Sequence, residues 1–170
     1  MITIVGFLSR PHGYNALCGI IDNPNYKLLK VFTHKLKPKS EDSSRSERKD
    51  YILFKQICRK NNIPLEAIDS NSQIINNVPQ CDFIVEISWR YLISQEIVKQ
   101  ASTLTFGVHR GKLPEYAGSE PIKQALEKNE SKIVLSSHHL AEEIDSGGTI
   151  NTISHLVNYD NSKSLDANVQ

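Results

Sequence analysis

Short apolar runs alternate with helical stripes over the first 110 residues. Ile2 to Phe7 is an apolar run of strand length, and Tyr14, Leu17, Cys18 and Ile21 follow at i, i+3, i+4 and i+7, the spacing that lines one face of a helix. A second run, Leu28 to Phe32, leads into a polar stretch. Tyr51, Phe54 and Cys58 then form another helical stripe, stopped by Asn61, Asn62 and Pro64. Leu65 to Ile68, Phe83 to Ile87 and Leu104 to Val108 read as further strands, with a helix between the last two carried by Ile93, Ile97, Val98 and Ala101. This alternation predicts an α/β fold with a mostly parallel central sheet and helices on both faces, because parallel neighbours need a crossover and a helix is the usual one.

The pattern changes after residue 110. A polar, proline-containing segment, Gly111 to Gly118, precedes Ser119, which suits a helix N-cap, and a short helix bearing Ile122, Ala125 and Leu126. Ile133 to Leu135 and Ile150 to Val157 read as two strands joined by the acidic loop Ala141 to Gly148, whose Gly147 and Gly148 suit a tight reversal. So short a connection predicts an antiparallel pair. Asn158 to Gln170 is polar and carries no pattern. With no internal repeat and no second core, residues 1–170 are expected to form one domain without an accessory C-terminal domain.

Composition narrows the function classes. A chain of 170 residues with 39% hydrophobic residues has apolar material for one core. Twenty Lys and Arg against nineteen Asp and Glu leave no net field to draw the whole surface onto nucleic acid or anionic lipid, so neither partner is expected. The run Lys35 to Lys49 mixes both charge signs with four serines and reads as a flexible, solvated surface loop. Cys18, Cys58 and Cys81 are odd in number and unpaired in spacing, which argues against a disulfide framework or structural zinc and suits a reducing cytoplasm. The uncharged opening Ile2-Thr3-Ile4-Val5 is too short for a secretion signal, and no apolar stretch approaches the roughly 18 to 20 residues of a membrane helix.

Ligands of open parallel sheets gather outside the carboxyl ends of the strands, where loops converge and helix N-termini offer free N–H groups. Three segments qualify. Ser9-Arg10-Pro11-His12-Gly13-Tyr14-Asn15 follows the first strand and could hold an anion through its amides and Arg10, or be a plain strand-to-helix turn, since it lacks G-x-G-x-x-G. His109 opens the segment after Val108, and Asp145 stands before Ser146-Gly147-Gly148. Taken singly, a histidine at a strand end is more often structural and an aspartate before glycines is a turn residue. His109, His138 and Asp145 could also imitate a metal-ligand set.

Taken together, these segments carry a pattern. H-x-x-x-L-P-x-x-x-G-x-x-P-I runs from His109 to Ile122, a strand then reaches His138, and I-D-x-G spans Ile144 to Gly147. This resembles the folate-dependent formyltransferases: glycinamide ribonucleotide transformylase, methionyl-tRNA formyltransferase, the sugar N-formyltransferases and formyltetrahydrofolate hydrolase. The order of elements agrees from residue 1 to about 157. The resemblance implies a Rossmann-like fold and formyl transfer from 10-formyltetrahydrofolate to the amine of a small substrate. His109 would stabilise the oxyanion of the tetrahedral intermediate or protonate the leaving nitrogen, Asp145 would raise its basicity and, through water, help move the proton between nitrogens, and His138 would stand near the pair. His139 matches no family position and is expected at the surface or in packing. Trp89, Arg90, Tyr91 and Leu92 resemble the segment that contacts the pterin, and Ala141, Glu142, Glu143 and Ile144 the loop on its other side, although Trp89 and Tyr91 also fit as core aromatics. No metal is implied.

The chain departs from the family at Gly107, where the family has an asparagine whose amide donates to the oxyanion. Losing one such donor costs about 100- to 1000-fold in rate. An inert folate-binding or regulatory protein is therefore a second reading, and hydrolysis of the folate a third. Arg10, His12, Gly13 and Asn15, with Arg110 and Lys112, are the candidates for holding an anionic substrate such as a nucleotide-linked amino sugar. The absence of a C-terminal tRNA-contacting domain disfavours tRNA, and the incomplete glycine-rich loop after the first strand weighs against glycinamide ribonucleotide.

Overall fold

β1 (Ile2–Leu8) is apolar on both sides, with Val5, Phe7 and Leu8 fully buried, as a strand flanked by two parallel neighbours must be. It pairs in parallel with β2 (Tyr26–Thr33) and with β4 (Cys81–Ile87), and β2 pairs in parallel with β3 (Leu65–Ala67). β5 (Ala101–His109), β6 (Lys132–His139) and β7 (Thr149–Leu156) complete a seven-stranded sheet of order β3-β2-β1-β4-β5-β6-β7, in which β7 runs antiparallel to β6. The computed structural model describes residues 1–141 and 145–158. It is a mostly parallel sheet with helices and an antiparallel C-terminal strand pair, as the hydrophobic pattern predicts.

The chain forms two compact units, Met1–Phe106 and the part from Gly107 onward. In the first, α1 (Arg10–Asp22) and α2 (Tyr51–Lys60) pack on one face of the sheet through Leu17, Phe54 and Cys58, against Ile4, Leu8, Val31 and Val85. Val5, Phe7, Phe32 and Ile84 are buried as well, and Phe7 and Phe32 stack at 4.7 Å between centroids. Burial of each such side chain contributes about 1.5–3 kcal/mol. The second unit holds the end of β5, α4 (Pro121–Glu127) and the β6–β7 pair.

Four local features differ from the sequence reading. α1 already begins at Arg10, because Ser9 is extended, in the N-cap position, and Pro11 tolerates a first helical turn that needs no donor. The presumed strand-to-helix loop is thus the opening of the helix itself. α3 is only Gln95–Val98, since Ala101, assigned to the helical stripe, starts β5. Glu120, with φ 54°, and not Ser119 takes the N-cap position of α4. The run Lys35 to Lys49 is built and not merely solvated: a bridge joins Leu36 to Glu47. Within it Asp42 accepts hydrogen bonds from the backbone and hydroxyls of Ser44 and Ser46.

Candidate active site

In the second unit, three side chains distant in sequence meet. His109 ends β5 and lies 9% exposed, with Nδ1 3.2 Å from an oxygen of Asp145. Asp145 lies in the turn between β6 and β7 in the left-handed region, at φ 56°, which aspartate visits more readily than most residues. Its Oδ2 also accepts the Gly118 N–H at 2.9 Å. His138, at the end of β6 and buried, donates from Nδ1 to its neighbour's carbonyl and places Nε2 3.6 Å from the other Asp145 oxygen, longer than a hydrogen bond. The exposed His139 stands outside the cluster. Among the described residues, no group of three or more His, Cys, Asp or Glu side chains is placed to hold a metal ion.

The segment after His109 closes over the ring. His109 Nε2 lies 2.6 Å from the main-chain carbonyl of Tyr116. A carbonyl accepts and cannot donate, so Nε2 carries a proton, and Nδ1, facing a carboxylate, favours one too. Both acceptors stabilise the imidazolium. Burial opposes the charge, but the Asp145 carboxylate and the Tyr116 carbonyl outweigh it and hold the His109 pKa above its ordinary 6.5. Burial likewise opposes ionisation of Asp145, yet His109, the Gly118 N–H and His138 keep its carboxyl below the usual range.

Two devices fix this segment. The Ser136 hydroxyl, fully buried on β6, donates to the Gly111 carbonyl at 2.8 Å and accepts the Leu113 N–H at 3.3 Å. Gly111 itself has no room for a side chain: a Cβ there would stand 2.8 Å from the Tyr116 carbonyl oxygen and 3.0 Å from His109 Nε2. The spacing His109…Leu113-Pro114…Gly118 therefore has a structural meaning. It returns the chain over the imidazole with one carbonyl and one N–H aimed at the two ends of the dyad.

In the first unit, the Trp89–Leu92 segment is folded around a buried histidine. His34 is fully buried; its Nδ1 donates to the Ile68 carbonyl, and its Nε2 accepts the Arg90 N–H at 3.2 Å. Burial pushes its pKa down to about 3. Trp89 stacks on it at 4.1 Å and Tyr91 meets it edge-on at 5.2 Å, so both aromatics have packing roles. Trp89 Nε1 and Arg90 Nη1 are nevertheless buried without an acceptor among the described residues, and Leu92 is 59% exposed. Ala141 is half-buried; Glu142, Glu143 and Ile144 lie outside the described residues.

An open cleft of about 240 Å³ in the same unit is lined by Arg10, Lys37, Arg48, Lys49 and Arg90, against Glu41 and Asp50, together with Ser9, Pro11 and Pro38. Arg48, 8% exposed, donates to the Ser9 hydroxyl, to the His34 carbonyl at 3.1 Å and to both oxygens of Asp50. Arg10 pairs with Glu41. Of the residues assigned to an anion after β1, only Arg10 lines this cleft. His12 and Asn15 are exposed on α1, and Gly13 serves packing: a Cβ there would lie 2.9 Å from the backbone of Leu8. Arg110 and Lys112 border a smaller cleft of about 170 Å³ in the second unit, and Lys112 pairs with Glu115 at 2.9 Å.

The Tyr116 carbonyl, the Gly118 N–H, Ser136, His34 and Arg48 were not assigned to any site from sequence. Only the first two carried a signal, as positions within the spaced motif.

Comparison with known proteins places these features in context. The family model described as Formyl transferase matches residues 16–169. Methionyl-tRNA formyltransferase of Clostridium acetobutylicum is 28% identical over 128 residues, covering 72% of this chain and 40% of that protein. The chain spans about two fifths of the length of this and similar curated relatives. Among solved structures, glycinamide ribonucleotide transformylase 1 from Symbiobacterium toebii superposes with a TM-score of 0.70 at 15% identity, covering 99% of this chain and 79% of that one. The sugar 3N-formyl transferase WlaRD, solved with dTDP and 5-N-formyl-THF, gives 0.64 at 21% identity, over 92% of this chain and 53% of that one.

Proposed function

The chain belongs to the formyl transferase family, and we propose that it passes the formyl group of 10-formyltetrahydrofolate to the amine of a small anionic substrate, such as an amino sugar on a nucleotide carrier, with His109 as general acid. The observation that carries this reading is the double engagement of His109: Asp145 at Nδ1 and the Tyr116 carbonyl at Nε2 stabilise the imidazolium and hold its pKa above the ordinary 6.5. An imidazolium stabilises a developing oxyanion, gives its proton to the leaving nitrogen and regains one from the attacking amine. Asp145 has its carboxyl held below the usual carboxylate range. Its role is to hold the ring and sustain its charge.

10-Formyltetrahydrofolate supplies the activated formyl carbon. The residues present fit such a donor, since Trp89 Nε1 and Arg90 Nη1 are buried donors without acceptors among the described residues, and a pterin edge offers acceptors for them. Trp89, Arg90, Tyr91 and Leu92 would hold it. The preference for an anionic acceptor rests on the cationic cleft, where Arg10, Lys37, Arg48, Lys49 and Arg90 outnumber the carboxylates that pair with them, Glu41, Asp42, Asp50 and Asp69. The sugar transferase among the structural relatives, solved with dTDP, makes a nucleotide-linked amine a natural first trial.

Gly107 favours a second reading, an inert folate-binding protein. Residues two apart on a strand share a face, so Gly107 leaves His109 without a side-chain donor at its side, and Gly107 is buried. The assay that separates the readings follows tetrahydrofolate release from 10-formyltetrahydrofolate with and without a panel of amino-sugar nucleotides. Release that depends on the amine supports transfer. Release without it assigns water as the acceptor, and folate binding without release assigns the inert protein. In an active enzyme, Gly107→Asn is expected to raise kcat about tenfold, short of the full value of an oxyanion donor because the amide is not preorganised. A fall to background would mean that the space is already filled.

A further inference from the structure

We propose that Tyr116 is a positioning residue of this site: its hydroxyl, held by Glu130, keeps its own main-chain carbonyl against His109 Nε2 and so fixes the orientation of the imidazole and the proton on that nitrogen. The inference rests on the formyl-transfer reading for its catalytic consequence, but not for its physical content.

The geometry is specific to this residue. The Tyr116 side chain is 5% exposed, its hydroxyl donates to Glu130 Oε1 at 2.7 Å, and the Lys128 ammonium stands 4.8 Å from its ring centroid. Glu130 is itself tied down by its backbone N–H, which donates to the Ala125 carbonyl at the end of α4. The Tyr116 N–H donates to the Lys112 carbonyl at 2.8 Å, closing a turn. One side chain is thus pinned at its far end while its carbonyl points back to His109 at 2.6 Å. A rotation of the peptide that turned this carbonyl away would have to pull the ring from between Glu130 and Lys128. The hydroxyl bond is at full strength over the whole working range, because the adjacent carboxylate pushes the phenol pKa up.

Charges around the assembly come from several elements. Asp145 and Arg110 act on His109, while Glu130, Glu115, Lys112 and Lys128 surround Tyr116. The test must therefore remove the hydroxyl bond without altering this charge set. Tyr116→Phe does so, since it deletes one oxygen and leaves the ring and every charge in place. Glu130→Gln keeps an acceptor for the hydroxyl and Glu130→Ala removes it, both with the loss of the same charge, so that the difference between them reports the bond.

The readout is the pKa of His109 followed by NMR in the ligand-free protein, which needs no activity. Tyr116→Phe and Glu130→Ala are expected to lower it by on the order of half a unit or more as the carbonyl loses its hold. Glu130→Gln is expected to restore most of the shift, and Tyr116→Phe combined with Glu130→Ala to go no further than either alone. In the assay, the alkaline limb of the kcat profile should move by the same amount with KM unchanged. An unchanged His109 pKa in Tyr116→Phe, or fully additive effects of the two changes, overturns the proposal. A shifted pKa in a protein that releases no tetrahydrofolate leaves the positioning role standing and removes the formyl-transfer reading instead.

Discussion

Asp145→Asn is expected to lower the kcat of formyl transfer by about 10²- to 10³-fold, roughly 3–4 kcal/mol of barrier, with little change in KM. The asparagine oxygen can still accept the Gly118 N–H, so the turn should persist. What disappears is the negative charge 3.2 Å from His109 Nδ1. Without it, burial of the ring is opposed only by the Tyr116 carbonyl, and the imidazole should be largely neutral at pH 7. The sign follows directly: the carboxylate holds the His109 pKa up, so its loss moves the alkaline limb of the kcat profile to lower pH. Stopped-flow or steady-state release of tetrahydrofolate between pH 5.5 and 9 would show both effects. An unchanged limb would mean that the acid is some other group.

The second large effect concerns stability and His34. Its pKa in the folded protein is pushed down to about 3 from 6.5, so the folded state binds this proton more weakly than the unfolded chain does. Stability is then complete above pH 6.5 and falls as the pH drops toward 3. Between pH 7 and pH 4.5 the loss should be roughly 2–3 kcal/mol. Other groups act in different windows. His109, with its raised pKa, contributes fully below 6.5 and loses that contribution only as pH rises through its folded value. The carboxyls of Asp145 and Asp82, held below 3.8, lose theirs only at lower pH. Urea unfolding at the two pH values tests this. His34→Asn should be less stable at pH 7 and should lose most of the pH dependence. A wild-type midpoint that does not move from pH 7 to 4.5 contradicts the burial of a neutral His34.

The consequence reaches the candidate folate segment. Protonating His34 Nε2 removes the acceptor for the Arg90 N–H, and Trp89 and Tyr91 pack on the same ring. Acid should therefore loosen Trp89–Leu92 before the sheet as a whole gives way.

All seven strands were legible: β1, β2 and β4 as the apolar runs that strands of a parallel sheet show, and the exposed, antiparallel β7 from Ile150 to Val157 despite its lack of burial. Their ends were less so: β6 continues past Leu135 to His139 through Ser136, Ser137 and His138, polar residues whose partners lie in distant segments. Lys35 to Lys49 read as solvent because charge suggests exposure, whereas Arg48 is buried against acceptors supplied by Ser9 after β1, His34 after β2 and Asp50 two residues on. Nothing in local composition signals such a set. His109 and Asp145 were legible through a spaced motif, and the structure brings them together. The groups that complete the dyad are the carbonyl of Tyr116 and the N–H of Gly118, and main-chain atoms carry no residue identity to read. His34 was invisible for a related reason, since its importance lies in what stacks on it.

The most direct test is the protonation state of one ring. Nitrogen-15 NMR of the histidine side chains, with His109 assigned by the loss of its signals in His109→Gln, reports both ring nitrogens at once. The double engagement of the ring predicts a titration midpoint above 6.5, with both nitrogens of His109 protonated on its acid side. A midpoint at or below 6.5, with one nitrogen already bare at that pH, would contradict it.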